Sequence, residues 1–276
     1  MSIKSILVHL AMDEDCNTRL ESAVAIAKGF NAHLICLYVA HPVHMPAGAE
    51  GRGASAIYLA EATERAKAVS DEIYVLAEDR CGKAKLSWEW IYGEEDHLER
   101  LLEHLHRTDM TILTQVSLDR FEDRLMYQTP EVVIQESGGP VLILPRVGSG
   151  YNFGHPKHIL INWDFSKESI RAVRGAMPMI EKADKVSILA AHRSHHEHAQ
   201  PEKFLHYLSL HGIDAMIADP VSDSNIGKMI LETAKSVGAD RIVMGAYHEI
   251  SLRNRLFGGV TRHVISNTEI PLILTH

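Results

Sequence analysis

The sequence predicts an α/β protein made of two tandem doubly wound parallel-sheet domains, and three observations carry that expectation. Short, continuously apolar runs of strand length alternate with segments of helical periodicity along the chain. Such runs suit a parallel sheet covered on both faces. The series then restarts after a Gly-rich stretch at 146–156. Each copy closes on a similar run, Pro140-Val141-Leu142-Ile143-Leu144 and Pro271-Leu272-Ile273-Leu274. With 276 residues there is room for two units of ordinary size, expected at 1–147 and 156–276.

In the first unit Ser5-Ile6-Leu7-Val8-His9-Leu10 is the opening strand. Leu20, Ala23, Val24 and Ala27 recur at three-four spacing and predict a helix over 17–30. Residues 34–39 form the second strand, and the prolines and glycines of 42–53 predict a loop. A long helix is expected over 55–78, with Ile57, Ala66, Val69, Ile73 and Leu76 near one stripe. A strand over 85–91 and a helix over 96–106 follow, the helix carrying Leu98, Leu101, Leu102 and Leu105 on one face. Strands at 110–113 and 141–144 flank a helix at 130–136. The second unit repeats the pattern. Strands are expected at 157–163, 186–192, 213–218, 241–244 and 272–274, and helices at 167–181, 203–211 and 226–237, with a further helix opening at 260.

Composition narrows the function classes. A 46% apolar chain can bury a core, which sets disorder aside. A formal net charge of −8 argues against a general binder of nucleic acid or anionic membranes. No apolar run reaches the length of a membrane span. The N-terminus passes directly into a strand without a signal-peptide layout. Cys16, Cys36 and Cys81 show no Cys-x-x-Cys spacing, so a disulfide framework or a cysteine zinc site is not expected, and a reducing cytoplasm is.

Eighteen histidines raise the question of a metal. His192, His195, His196 and His198, with Glu197, supply ligand types that suit Zn, Ni or Cu. A polar loop alone seldom fixes metal geometry, so a solvated loop is expected and no metal. Asp96, Glu99 and Glu103 suit a helix start electrostatically. Glu61, Glu64, Lys67 and Glu72 read as a solvated face. Cys16 has Asp13 and Asp15 as neighbours, which would raise its thiol pKa. No Gly-x-Ser-x-Gly elbow, Gly-x-x-x-x-Gly-Lys-Ser/Thr loop or His-Glu-x-x-His is present, so no enzyme is expected.

One stretch stands out. Met244-Gly245-Ala246-Tyr247-His248 ends a strand, and Gly258-Gly259-Val260-Thr261 opens a helix nine residues later. Glycine lets backbone approach a ligand closely. A helix start presents unpaired N–H groups to an anion. In open α/β sheets ligands bind beyond the carboxyl ends of the strands, where strand order reverses. The expected sites are therefore the ends of the first and second strands and the loop after the fourth.

On these residues the chain resembles the universal stress protein family in its tandem form. The resemblance implies a Rossmann-like, adenine nucleotide alpha hydrolase-like fold and a site for ATP or AMP. Asp164 takes the family's acidic position after the first strand of the second unit. Gly245 and Gly258 take the first and third glycines of its phosphate loop. His248 stands where the second glycine belongs, and Gly259 where a Ser or Thr belongs, while Val260 and Thr261 match. These seven are the candidate nucleotide-binding residues. His248, Arg253 or Arg255 could face a phosphate, and Asp164-Phe165-Ser166 equally fits a helix cap. In the first unit Thr114, Ser117, Tyr127 and Gln128 occupy the motif positions, Ala11 replaces the acid, and Pro130 removes a donor. No nucleotide site is expected there.

The resulting expectation is a cytoplasmic stress-response protein that binds or regulates, with nucleotide in the second domain only. The alternatives are a slow ATP-handling enzyme, in which His248 or Asp164 assists phosphate chemistry, and a scaffold for another small ligand. The fifth strands, 141–144 and 272–274, are apolar and terminal in each sheet. An exposed apolar edge invites pairing, so the two strands are expected to pair within the chain or to drive self-association between two chains.

Overall fold

The computed structural model describes residues 2–40, 52–93, 97–116, 129–146, 153–190, 201–221, 223, 225–247 and 259–276. The first half runs β1 (Ser5–Leu10), α1 (Cys16–Phe30), β2 (His33–Val39), α2 (Arg52–Ala84), β3 (Trp88–Gly93), α3 (His97–Leu105), β4 (Met110–Thr114), α4 (Thr129–Glu136) and β5 (Val141–Leu144). The second runs β6 (His158–Asn162), α5 (Lys167–Ile180), β7 (Lys185–Leu189), α6 (Pro201–Leu210), β8 (Ala215–Ile217), α7 (Ile226–Val237), β9 (Arg241–Gly245), α8 (Gly259–Asn267) and β10 (Leu272–Thr275).

Most elements lie within a few residues of the sequence expectation; the third strand is displaced. Helix α2 continues to Ala84 and ends through Lys85, which takes a left-handed φ of 56°. The Lys85 N–H donates to the Gly82 carbonyl and the Leu86 N–H to that of Cys81. This is a helix-terminating turn that usually calls for glycine. Lys85 hides it from a reader of composition, and β3 begins only at Trp88.

The strands form one ten-stranded sheet in the order β3-β2-β1-β4-β5-β10-β9-β6-β7-β8. Each half thus has the same doubly wound order, and its internal strand pairs are parallel. Strand alternation sends side chains to opposite faces. Ile6, Val8, Leu142 and Ile273 join the core under α1, α2, α5 and α6. Leu7, Val141, Ile143 and Leu274 join the one under α3, α4, α7 and α8. Among the described residues no helix is long and apolar enough to cross a membrane.

The halves meet where β5 and β10 pair antiparallel, with Leu142 opposite Ile273. On the register that sets Pro140 against Pro271, these are the same position in the two copies. A pseudo-twofold axis therefore passes between them. Further contacts reinforce the join: a β-carbon on Gly29 would lie 2.8 Å from the Gly154 carbonyl oxygen. The Lys182 ammonium donates to the Gly29 carbonyl and sits 4.0 Å from the centre of the Phe30 ring.

His158, at the start of β6, is a core histidine with both nitrogens engaged. Nδ1 faces the Val237 carbonyl at 2.9 Å, and Nε2 lies 2.8 Å from Ser187 Oγ. A carbonyl can only accept, so Nδ1 carries the proton and Nε2 accepts from the serine. Burial, followed by the charge of Lys185, lowers its pKa.

Two outcomes are expected. Leu142→Ala, at a fully buried position on the axis, should cost about 3 kcal/mol in urea unfolding; a neutral effect would show that the join carries little stability. For His158 the folded pKa lies below the unfolded one, so its contribution is present above about pH 6.5 and is lost as pH falls through that value toward the folded pKa. Unfolding free energies at pH 7.5 and 5.5 should fall more steeply for wild type than for His158→Gln.

Candidate functional site

Strand order reverses between β1 and β4 in one half and between β6 and β9 in the other. Each reversal opens a crevice at the carboxyl ends of those strands. The two crevices are built very differently.

In the second half, β6 passes to α5 through Trp163-Asp164-Phe165-Ser166. Asp164 Oδ1 accepts the Ser166 N–H at 3.0 Å and the Ser166 hydroxyl at 2.6 Å. Ser166 Oγ in turn accepts the Ser169 N–H at 3.0 Å and caps α5. Of the two sequence readings of Asp164, the described contacts are those of capping: it orients the cap residue rather than being the cap itself. Phe165 is held at φ 64° with its side chain 62% exposed. Trp163 turns inward and stacks on Phe204 with ring centres 3.9 Å apart.

Gly245, at the end of β9, has a packing reason to be glycine. A β-carbon there would lie 2.5 Å from the Ser169 nitrogen and 2.6 Å from the Glu168 carbonyl carbon. The first turn of α5 packs directly on the face where a Gly245 side chain would stand. Beyond it, Ala246 donates to the Thr275 carbonyl and accepts from His276 Nδ1. Tyr247, buried at φ 59°, donates its N–H to Thr261 Oγ1 at 3.2 Å. The Thr261 hydroxyl is therefore engaged within the loop.

The start of α8 is different. Gly259 is exposed, and a β-carbon there would meet no atom of the described residues within 4 Å. Gly259 and Val260 are the first residues of a helix, whose leading N–H groups lack intrahelical partners. Asn162, 5% exposed at the carboxyl end of β6, has an Oδ1 without a partner among the described residues. It pairs in register with Met244, beside the β9 end. The structure thus brings Asp164, Gly245, Gly259, Val260 and Thr261 to one end of the sheet. His248, Gly258, Arg253 and Arg255 lie outside the described residues, as does the loop with His192, His195, His196, Glu197 and His198.

In the first half the crevice is closed by the protein itself. Arg19 of α1, 2% exposed, donates from Nη1 to Thr114 Oγ1 at 2.7 Å and from Nη2 to Asp13 Oδ2 at 3.0 Å. Arg146 pairs with Asp15 at 3.1 Å. The remaining space, lined by His9, Ala11, Gln115 and Thr129 among others, is a cavity of about 40 Å³, on the scale of water rather than a nucleotide. Helix α4 opens on Thr129-Pro130, and Pro130 has no N–H to offer.

Sequence reasoning missed Arg19. On the register that sets Ala11 against Asp164, its counterpart is Ala172; on the register that sets Pro140 against Pro271, the counterpart of Thr114 is Gly245. The large pair Arg19–Thr114 in one half answers the small pair Ala172–Gly245 in the other. An arginine next to Leu20 in an otherwise apolar stripe was the available signal. For Cys16, burial raises the thiol pKa first, Arg19 opposes it and Asp13 adds to it. Of the two carboxylates read from the sequence, Asp13 contributes, behind burial and against Arg19. Glu99 lies in the first turn of α3, whereas Asp96 falls outside the described residues.

A model of the family described as the universal stress protein family matches residues 2–145 and 221–276. No curated protein matches the chain. Among solved structures, the chain is similar to a universal stress protein from Archaeoglobus fulgidus DSM 4304, at 18% identity and a TM-score of 0.73, covering 99% of this chain and 96% of that one. It is also similar to a functionally unknown protein from Pseudomonas aeruginosa PAO1, at 16% identity and a TM-score of 0.60, covering 99% and 92%. The cytoplasmic domain of a prokaryotic cation chloride cotransporter follows at 12% identity and a TM-score of 0.51, covering 99% and 95%. At these identities the structural likenesses bear on the fold alone.

The packing role of Gly245 is open to test without any ligand. Gly245→Ala should lower stability by about 1–3 kcal/mol, because the added carbon meets backbone that cannot rotate away. A melting temperature equal to that of wild type would overturn that account.

Proposed function

The chain belongs to the universal stress protein family, and from that premise we propose that it is a cytoplasmic stress-response protein that binds a ligand and regulates, without a dedicated catalytic centre. Its ligand is an adenine nucleotide, ATP or AMP, held in the second half only.

The observation that carries this reading is the open helix start at Gly259. A helix N-terminus led by a glycine, with no atom of the described residues within 4 Å of where a β-carbon would stand, suits an anion. The first half offers Thr129-Pro130 in place of Val260-Thr261 and fills its crevice with Arg19. Asn162 adds a buried amide beside the same strand ends. The acidic charge of the chain supports neither nucleic acid nor an anionic membrane as partner. The pairing of β5 with β10 leaves neither strand with a free edge, which supports a chain that pairs these two strands within itself rather than with a second copy.

The test uses a variant designed to keep the fold. Gly259→Asp places a carboxylate where a phosphate would sit, and an acidic residue in a first turn favours the helix. Titration calorimetry with ATP and magnesium should show binding by wild type and at least about tenfold weaker binding by Gly259→Asp, a difference of about 1.4 kcal/mol, without a lower melting temperature. Equal binding by both proteins, or none by wild type, would sink the reading.

A further inference from the structure

Helix α8 is short, nine residues from Gly259 to Asn267, and a helix of that length has little stability of its own. Two side chains from the other half hold it. Near its start, Arg262 donates from Nε to Glu131 Oε1 at 3.1 Å and from Nη2 to Glu131 Oε2 at 3.4 Å. Glu131 lies in the first turn of α4 and its side chain is 10% exposed. Near its end, Gln115 Nε2 donates to the Ile265 carbonyl at 2.7 Å. That carbonyl is in the last turn, where intrahelical donors run out. Gln115 is itself fixed: its Oε1 accepts the Arg146 N–H at 3.3 Å, and its own N–H donates to the Leu144 carbonyl at 2.8 Å.

The pairing also fits the pseudo-symmetry. On the register of Pro140 and Pro271, Glu131 and Arg262 are the same position in the two copies. Like residues would set two equal charges against each other across the axis; a glutamate and an arginine turn that into a two-bonded ion pair.

We propose that the first half is the positioning half of the ligand site: Glu131 and Gln115 hold α8 so that its N-terminal amides stay presented to a bound phosphate. This rests on the nucleotide reading above. It gives the half with the filled crevice a task, since Gln115 directly follows Thr114, the residue that Arg19 engages. Glu131 and Gln115 are positioning residues that act through α8.

The test uses the full chain, with Glu131→Gln as a near-isosteric change. Hydrogen exchange of the α8 amides should accelerate about fivefold, with exchange in β1 to β3 unchanged, and ATP should bind about fivefold more weakly by calorimetry. The exchanged pair Glu131→Arg with Arg262→Glu should restore the α8 protection that Glu131→Arg alone removes. Unchanged α8 exchange in Glu131→Gln overturns the proposal. So does tighter ATP binding, which would mean that Glu131 withholds Arg262 from the phosphate. A wild-type chain that binds no ATP removes the nucleotide reading and the phosphate part of the proposal with it; the exchange data then decide separately whether the first half holds α8.

Discussion

The antiparallel pairing of β5 with β10 is the constraint on which the rest of the molecule depends. Each half alone would end in a fully buried apolar strand with one unpaired edge, and such an edge is a template for unwanted pairing. Joining the two edges satisfies both sets of backbone groups and merges two five-stranded sheets into one. It also creates the axis that brings equivalent positions face to face. Leu142 and Ile273 meet there as apolar residues, and Glu131 and Arg262 as opposite charges. Both solutions are isologous in geometry, yet the second requires that the two copies differ.

Divergence between the halves follows a simple steric exchange. In the second half a small residue on the first helix, Ala172, and a glycine at the end of β9 let α5 approach until its first turn covers Gly245. In the first half, Arg19 and Thr114 keep the elements apart and fill the gap with a hydrogen-bonded guanidinium. A buried arginine is tolerated only if its charge is matched, and Asp13 matches it at 3.0 Å. The same fold thereby carries one crevice occupied by its own side chain and one beside a helix that starts on an exposed glycine, Gly259.

Much of this was legible in the sequence, for local reasons. Helix α7 occupies the span read from its pattern, because Asn225 caps one end and Gly238, at φ 70°, closes the other. The opening strand is equally plain in its run of apolar residues. Lys85 was not legible as a helix stop, since the left-handed turn there lacks the glycine that would announce it. Asp164 was ambiguous because Asp-Phe-Ser suits both a cap and a ligand contact. Its bond to the Ser166 hydroxyl shows how a cap two residues further on makes use of it.

By itself the sequence determined the alternation of strands and helices, the internal repeat, the family resemblance and the glycine-led opening of α8. All of these are short-range patterns or comparisons of one stretch with another. Only the tertiary structure decided why Gly245 must be glycine, that Arg19 closes the first crevice, and that α8 is held from the other half. Those facts rest on contacts between residues 76, 95, 131 and 150 positions apart. Whether such side chains meet depends on how whole helices pack across the sheet, and the spacing of residues along the chain carries no record of that distance.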